Sequence, residues 1–223
     1  MEPTLADRLA AVDSAIADAV REAGGAPPTR IVVTKFQPAS LVRELADLGV
    51  RDIGENRHQE AVVKAAEVDD ARLAWHFVGQ LQSNKAKAVR RYASTVHSVD
   101  RASLVDALTV DDGTDVGVFL EIGLSDEPGR AGVAPDDIDR LAERVLAAPG
   151  LRLLGVMGVA PLGAEPRQAF ARLREVGAQL RRLEPAATAI SAGMSGDFRE
   201  AILEGATHLR IGTAITGFRP FPG

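Results

Sequence analysis

Lys35 lies near the end of Ile31-Val32-Val33-Thr34-Lys35-Phe36-Gln37, a β-branched run of the kind that is buried inside a domain. The chain carries 22 Arg and only four Lys. Lys64, Lys85 and Lys87 fall in stretches that read as solvated helix, so Lys35 alone closes a core-like strand. A guanidinium stays protonated and cannot condense with a carbonyl, whereas a desolvated ammonium loses its proton and can form a Schiff base. The plain alternative is a strand-end lysine reaching out to water. Two further features bear on that choice. Ser191 to Asp197 is small, hydroxylated and Gly-containing, and Gly212-Thr213 adds a second such turn. Free backbone N–H groups in turns of this kind hold anions, although Ser195 or Asp197 could equally cap the helix that follows.

Arg210 precedes the second turn at the end of an apolar strand, where it could pair with a rim carboxylate or donate to a ring nitrogen. An amine, an anion grip and a permanent cation at one mouth suit pyridoxal 5′-phosphate, which has an aldehyde, a phosphate and a pyridine nitrogen. Because arginine keeps its proton, that nitrogen would stay unprotonated and the cofactor would be a weaker electron sink. Asn56 could contact the ring or fix its own turn, and Met157 packs, under a ring or in the core. His76 reads as a hydrogen-bonded core or rim histidine rather than a proton carrier. His58 and His208 look incidental, and no set of His or carboxylates has metal-ligand spacing.

These residues need a scaffold that brings strand ends together. Leu5, Leu9, Val12, Ile16 and Val20 recur at helical spacing, so residues 1–25 read as an N-terminal helix closed by Gly24-Gly25. Strands are expected near residues 30–35, 51–54, 74–79, 95–98, 115–122, 151–158, 187–191 and 207–211, with helical patterns between them, the clearest on Phe170, Leu173, Val176, Leu180 and Leu183. Strict alternation forces a parallel sheet with right-handed crossovers. Eight units without a lone strand predict an α/β fold of the (β/α)8 TIM-type barrel with an extra N-terminal helix, as a single domain over residues 1–223. An open doubly wound sheet is the alternative, and in both the ligand-bearing residues follow the carboxyl ends of the strands. At 46% hydrophobic content the chain can bury one sizeable core. Net charge near minus five, sparse aromatics and the absence of a basic stretch argue against nucleic acid. No apolar run spans a bilayer, and the absence of cysteine removes disulfides and fits a cytoplasmic setting.

The chain resembles a known family, the pyridoxal phosphate homeostasis proteins, also called the YggS or proline synthetase co-transcribed family. The similar stretches are Val33-Thr34-Lys35, Ile53-Gly54-Glu55-Asn56 with Gln59-Glu60, Trp75 through Lys85, Gly193-Met194-Ser195 with Asp197-Phe198, and Arg210-Ile211-Gly212. The resemblance implies a barrel similar to the N-terminal domain of alanine racemase and pyridoxal phosphate held on Lys35. It further implies a role in cofactor homeostasis and delivery, and no established catalytic activity. By position, Ser191, Ser195, Gly212 and Thr213 would hold phosphate, Arg210 would face the pyridine nitrogen, and Asn56 and Met157 would line the ring. The chain departs from many relatives at Gln37 and Arg130, where they carry lysine.

The competing expectation is a pyridoxal phosphate-dependent amino-acid racemase. It would need a second proton donor opposite the lysine. Tyr92, the only tyrosine, precedes the fourth strand and should lie at the wrong end of the barrel. His76 and His97 leave weak catalysis open, and a cofactor-free aldolase ranks last. The expected partners are therefore pyridoxal phosphate and apo forms of enzymes that need it, with a charged exterior suited to a monomer.

Overall fold

The computed structural model describes residues 2–125 and 132–217, so Arg130, Asp126 and Glu127 lie outside the described residues. Eight parallel strands close into a barrel in chain order. They are β1 Thr29–Val33, β2 Asp52–Glu55, β3 Ala74–Phe77, β4 Thr95–Val99, β5 Val116–Glu121, β6 Leu151–Met157, β7 Ala189–Ser191 and β8 His208–Ile211. The ring closes through β1 and β8, with Ile31 opposite Arg210 and Val32 opposite Ile211. That register excludes the open sheet and puts the turn after β1 beside the turn after β8.

The helices follow the apolar periodicity. They are α1 Leu5–Ala23, α2 Ala39–Asp47, α3 His58–Val68, α4 Ala86–Val89, α5 Ala102–Leu108, α6 Ile138–Leu146, α7 Pro166–Leu183, α8 Phe198–Leu203 and α9 Thr213–Thr216. Helix α1 starts with a capping box between Thr4 and Asp7 and ends at left-handed Gly24. Its buried face, Leu5, Leu9, Val12, Ile16 and Ala19, packs on α8 and α9. Arg8 Nε fixes it there by donating to the Ile215 carbonyl at 2.6 Å. The first helix thus braces the two short helices that follow the glycine turns. Among the described residues no helix is long and apolar enough to cross a membrane.

Two expectations need correction. The first strand ends at Val33, so Lys35 sits in the following turn and is exposed. Its amine is presented to solvent instead of being desolvated in a strand. Lys64, expected on a solvated helix, is only 5% exposed. The α3 face that carries it, Ala61, Lys64 and Val68, is the buried one.

Candidate functional site

The turn bearing Lys35 is held from several sides. Thr34 N donates to Gly54 O at 3.0 Å, and Gln37 N closes the turn on Thr34 O at 3.0 Å. Buried Lys64 explains itself here. Its Nζ donates to Thr34 O at 2.8 Å and to Glu55 Oε1 at 2.5 Å, while Thr34 Oγ1 donates to the same carboxylate oxygen at 2.6 Å. Burial pushes the Glu55 carboxyl up from its ordinary 4.5, against the pull of Lys64 and Thr34. Phe36 takes a left-handed φ of 65°, a conformation that is unfavourable for a side chain of this size. Its N–H is caught by Glu60 at 3.1 Å, and its ring lies under the Arg57 guanidinium at 5.6 Å. Gln37 is buried, and its Nε2 donates to Thr216 O at 3.3 Å, which ties the β1 turn to α9.

The two glycine turns are joined to each other. Ser195, read as a phosphate holder or alternatively a helix cap, accepts from Ala214 N at 3.2 Å through its Oγ, so the loop after β7 is stitched to the one after β8. Gly193 has φ +88°, and a Cβ there would meet Ala201 Cβ at 2.7 Å. Only glycine lets the first loop turn down onto α8. Asp197 folds back to accept from Met194 N at 2.6 Å. Gly212 lies against Val33, and Thr213 opens α9 beside it. Lys35, Ser195, Gly212 and Thr213 are therefore on three connected turns at one rim.

Arg210 is the buried cation of this rim, at 5% exposure. Its Nη1 donates to Ser191 Oγ at 2.7 Å and its Nη2 to Gly158 O at 3.0 Å. Both acceptors are neutral, and among the described residues Arg210 makes no ion pair. Desolvation pulls it down to about 10, opposed by the charges of Asp197 and Glu121. Ser191 is fully buried beneath that guanidinium, and its hydroxyl is also 2.9 Å from His97 Nδ1. It thus supports Arg210 from below, a placement the Gly-Ser loop alone did not suggest. Met157 is buried at the end of β6, in register with Ser191. Asn56 follows β2 under Gly79, where a Cβ would stand 2.2 Å from Asn56 O, and its own Oδ1 is buried without a partner among the described residues.

Glu121, which the sequence reading passed over, ends β5 at the same rim. Burial drives its carboxyl up to about 7, Asp100 adding to the rise and Arg210 opposing it. The available signal was a lone acid at the end of the otherwise apolar run from Val116 to Leu120. Tyr92 stacks on His58, the first residue of α3, with ring centroids 6.0 Å apart.

Residues 9–220 match the family model described as alanine racemase, N-terminal domain. The chain is 41% identical over 226 residues to the pyridoxal phosphate homeostasis protein of Pseudomonas aeruginosa, covering 98% of this chain and 97% of that one. PipY of Synechococcus elongatus PCC7942, solved with PLP bound, superposes with a TM-score of 0.83 at 33% identity, over 96% of this chain and all of that one. Alanine racemase from Corynebacterium glutamicum shares the fold, with a TM-score of 0.71 at 17% identity over 93% of this chain and 61% of that one.

Proposed function

We propose that this chain, which belongs to the pyridoxal phosphate homeostasis family, binds pyridoxal 5′-phosphate at the carboxyl rim of its barrel and serves cofactor supply within the cytoplasm. One observation carries the reading: among the described residues Arg210 is a buried guanidinium without a carboxylate partner, set among turns that bear an amine and an anion grip. A buried cation is costly unless something compensates it, and a pyridine lone pair beside a phosphate dianion would do so. The orphaned Asn56 Oδ1 is a second position that a bound ring or its water would satisfy.

When bound, the cofactor supplies an aldehyde that an amine captures with loss of water. Lys35 is the residue for that capture, as a Schiff base, since Lys64 is committed to Glu55 and Thr34. Ser195, Gly212 and Thr213 hold the phosphate on their bridged turns. Met157 and Asn56 border the ring, and Ser191 acts through Arg210. Gln37 and Thr216 keep the amine turn and the phosphate turn at fixed spacing. The whole chain works as one barrel domain with α1 as its brace, as a monomer that hands the cofactor to apo-enzymes.

Borohydride reduction of protein loaded with pyridoxal phosphate, followed by peptide mapping, tests this. The expected label is on Lys35 and is lost in Lys35→Ala. Equal labelling of Lys85 and Lys87, or none, would overturn it. Loss of optical purity in a single-enantiomer amino acid, abolished by Lys35→Ala, would make the protein an enzyme. Faster activation of an apo-enzyme than free release allows would establish delivery.

A further inference from the structure

A line of buried polar side chains runs through the barrel from its amino end to its carboxyl rim. Asp52, the first residue of β2, accepts at 3.0 Å from His76 Nε2. His76 Nδ1 lies 3.0 Å from His97 Nε2, and His97 Nδ1 lies 2.9 Å from Ser191 Oγ. Ser191 Oγ then receives Arg210 Nη1 at 2.7 Å. His97 and Ser191 are fully buried and His76 nearly so, whereas Asp52 has 28% of its side chain exposed, in a groove between α1 and the barrel floor.

With neutral imidazoles between them, the two ends fix the sense of every bond. An ionised carboxylate only accepts, so His76 carries its proton on Nε2 and, neutral, presents a bare Nδ1. His97 must then donate from Nε2 and present its own bare Nδ1. Arginine only donates, so the Ser191 oxygen accepts from Arg210 and its single O–H points to His97. With both rings neutral, one arrangement satisfies all four contacts, and it runs one way from a cation at the rim to an anion at the floor. Each member polarises the next. His97 is also stacked on Phe119 at 4.5 Å and faces His208 at 6.3 Å, and burial first, then the neighbouring His76, Arg210 and His208, keeps it neutral.

We propose that His97 and His76 are positioning residues: with Asp52 they form a one-way hydrogen-bond chain that holds the Ser191 oxygen toward Arg210 and so fixes the cation opposite the cofactor ring. The inference rests on the pyridoxal phosphate reading for its purpose and on the geometry alone for its existence. Without His97 the Ser191 hydroxyl can turn its proton toward Arg210, where it repels a donor instead of accepting from it. The guanidinium then loses its fixed direction, and the ring nitrogen loses a fixed partner. A residue that merely filled space would leave that electronic environment alone.

Heteronuclear NMR of the imidazole nitrogens, on protein without cofactor, tests the chain directly. Both His76 and His97 should be neutral with the proton on Nε2 at neutral pH, and a proton on Nδ1 of either, or a cationic ring, overturns it. Titration with pyridoxal phosphate tests the purpose. His97→Phe keeps the stacking but offers no acceptor, and should weaken binding about tenfold or more and move the absorption band of the bound cofactor. His97→Asn places an amide oxygen near the Nδ1 position and should restore both within about threefold. Unchanged affinity and absorption in His97→Phe, or equal losses in both variants, would overturn the positioning role. If His97→Phe does not fold, the nitrogen spectra of the unsubstituted protein still decide. Failure of the unsubstituted protein to bind pyridoxal phosphate refutes the proposed function and leaves the chain to be judged by those spectra.

Discussion

Replacing Lys64 by Met removes one charge from a buried pair while nearly preserving side-chain volume. Glu55 is fully buried and Lys64 is 5% exposed, with Nζ and Oε1 2.5 Å apart. At that distance and an effective dielectric near 20 the attraction is about 7 kcal/mol, most of which offsets the desolvation of the two ions. Losing it leaves the carboxylate without a cation, and Glu55 escapes by taking up a proton. At pH 7 the cost of keeping it protonated, measured from its ordinary 4.5, is about 3.4 kcal/mol. The Thr34 carbonyl also loses a donor, about 1 kcal/mol more. The expected loss at pH 7 is therefore about 4 kcal/mol, a large part of a domain's stability.

The pH dependence separates this account from simple packing damage. A carboxyl whose folded value lies above its unfolded one contributes stability that is present below the unfolded value and lost as pH rises. At pH 5 the protonation cost falls to about 0.7 kcal/mol, so the variant should recover up to about 3 kcal/mol relative to the parent, less whatever the parent's own raised Glu55 carboxyl recovers over the same range. Urea unfolding followed by Trp75, the single tryptophan and a buried one, reads both values. The double variant Lys64→Met with Glu55→Gln should lie within about 1 to 2 kcal/mol of the parent at either pH. A loss below about 1 kcal/mol at pH 7, or one that does not change between the two pH values, would refute the reasoning.

Glu121→Gln tests the other raised carboxyl. Since Glu121 titrates at about 7 in the fold against an ordinary 4.5, the parent loses stability as pH climbs through that window. With partial solvent screening the variant should gain about 2 kcal/mol over the parent above pH 7.5 and match it at pH 4.5, and parallel stability curves would contradict this. Gly193→Ala should cost about 2 to 4 kcal/mol, because its φ of +88° and the 2.7 Å approach of Ala201 Cβ both resist a methyl group. The same change should weaken pyridoxal phosphate binding by displacing Ser195, and an unaltered titration would separate that loop from the phosphate.

The barrel was legible because its strands are short β-branched runs at regular spacing, each ending in a polar or glycine turn. Closure was not written in any one strand, and comes from the pairing of Arg30 with Leu209 and their neighbours. Lys35 stood out by type and place, but its strand was read two residues too long, since Val33 and Thr34 share a β-branched character that conceals where pairing stops. Lys64 was misread for a different reason. Its charge suggested solvent, although its spacing from Ala61 and Val68 puts it on the inward stripe of α3. Helical position was the better guide than residue type, because a buried carboxylate at Glu55 receives the charge. His97 and Ser191 belong to strands far apart in sequence, so only the closed ring could bring them to 2.9 Å.

The division of labour between the two lysines bears on whether the protein catalyses or supplies. Lys64 spends two donors inside the wall, on Thr34 O and Glu55 Oε1, and so builds the turn from which Lys35 projects. Lys35 itself is exposed. An enzyme working on a captured carbonyl gains from excluding water, which would otherwise cleave the bond between amine and aldehyde. A supply protein gains from admitting it, because the same water that reverses the capture sets the cofactor free with its aldehyde restored. An amine on a rigid turn but open to solvent fits the second need. The release rate should therefore rise when the turn is loosened, as in Gln37→Ala, which cuts the tie to Thr216. Release that slowed or held constant in that variant would mean that the turn's rigidity plays no part in retention.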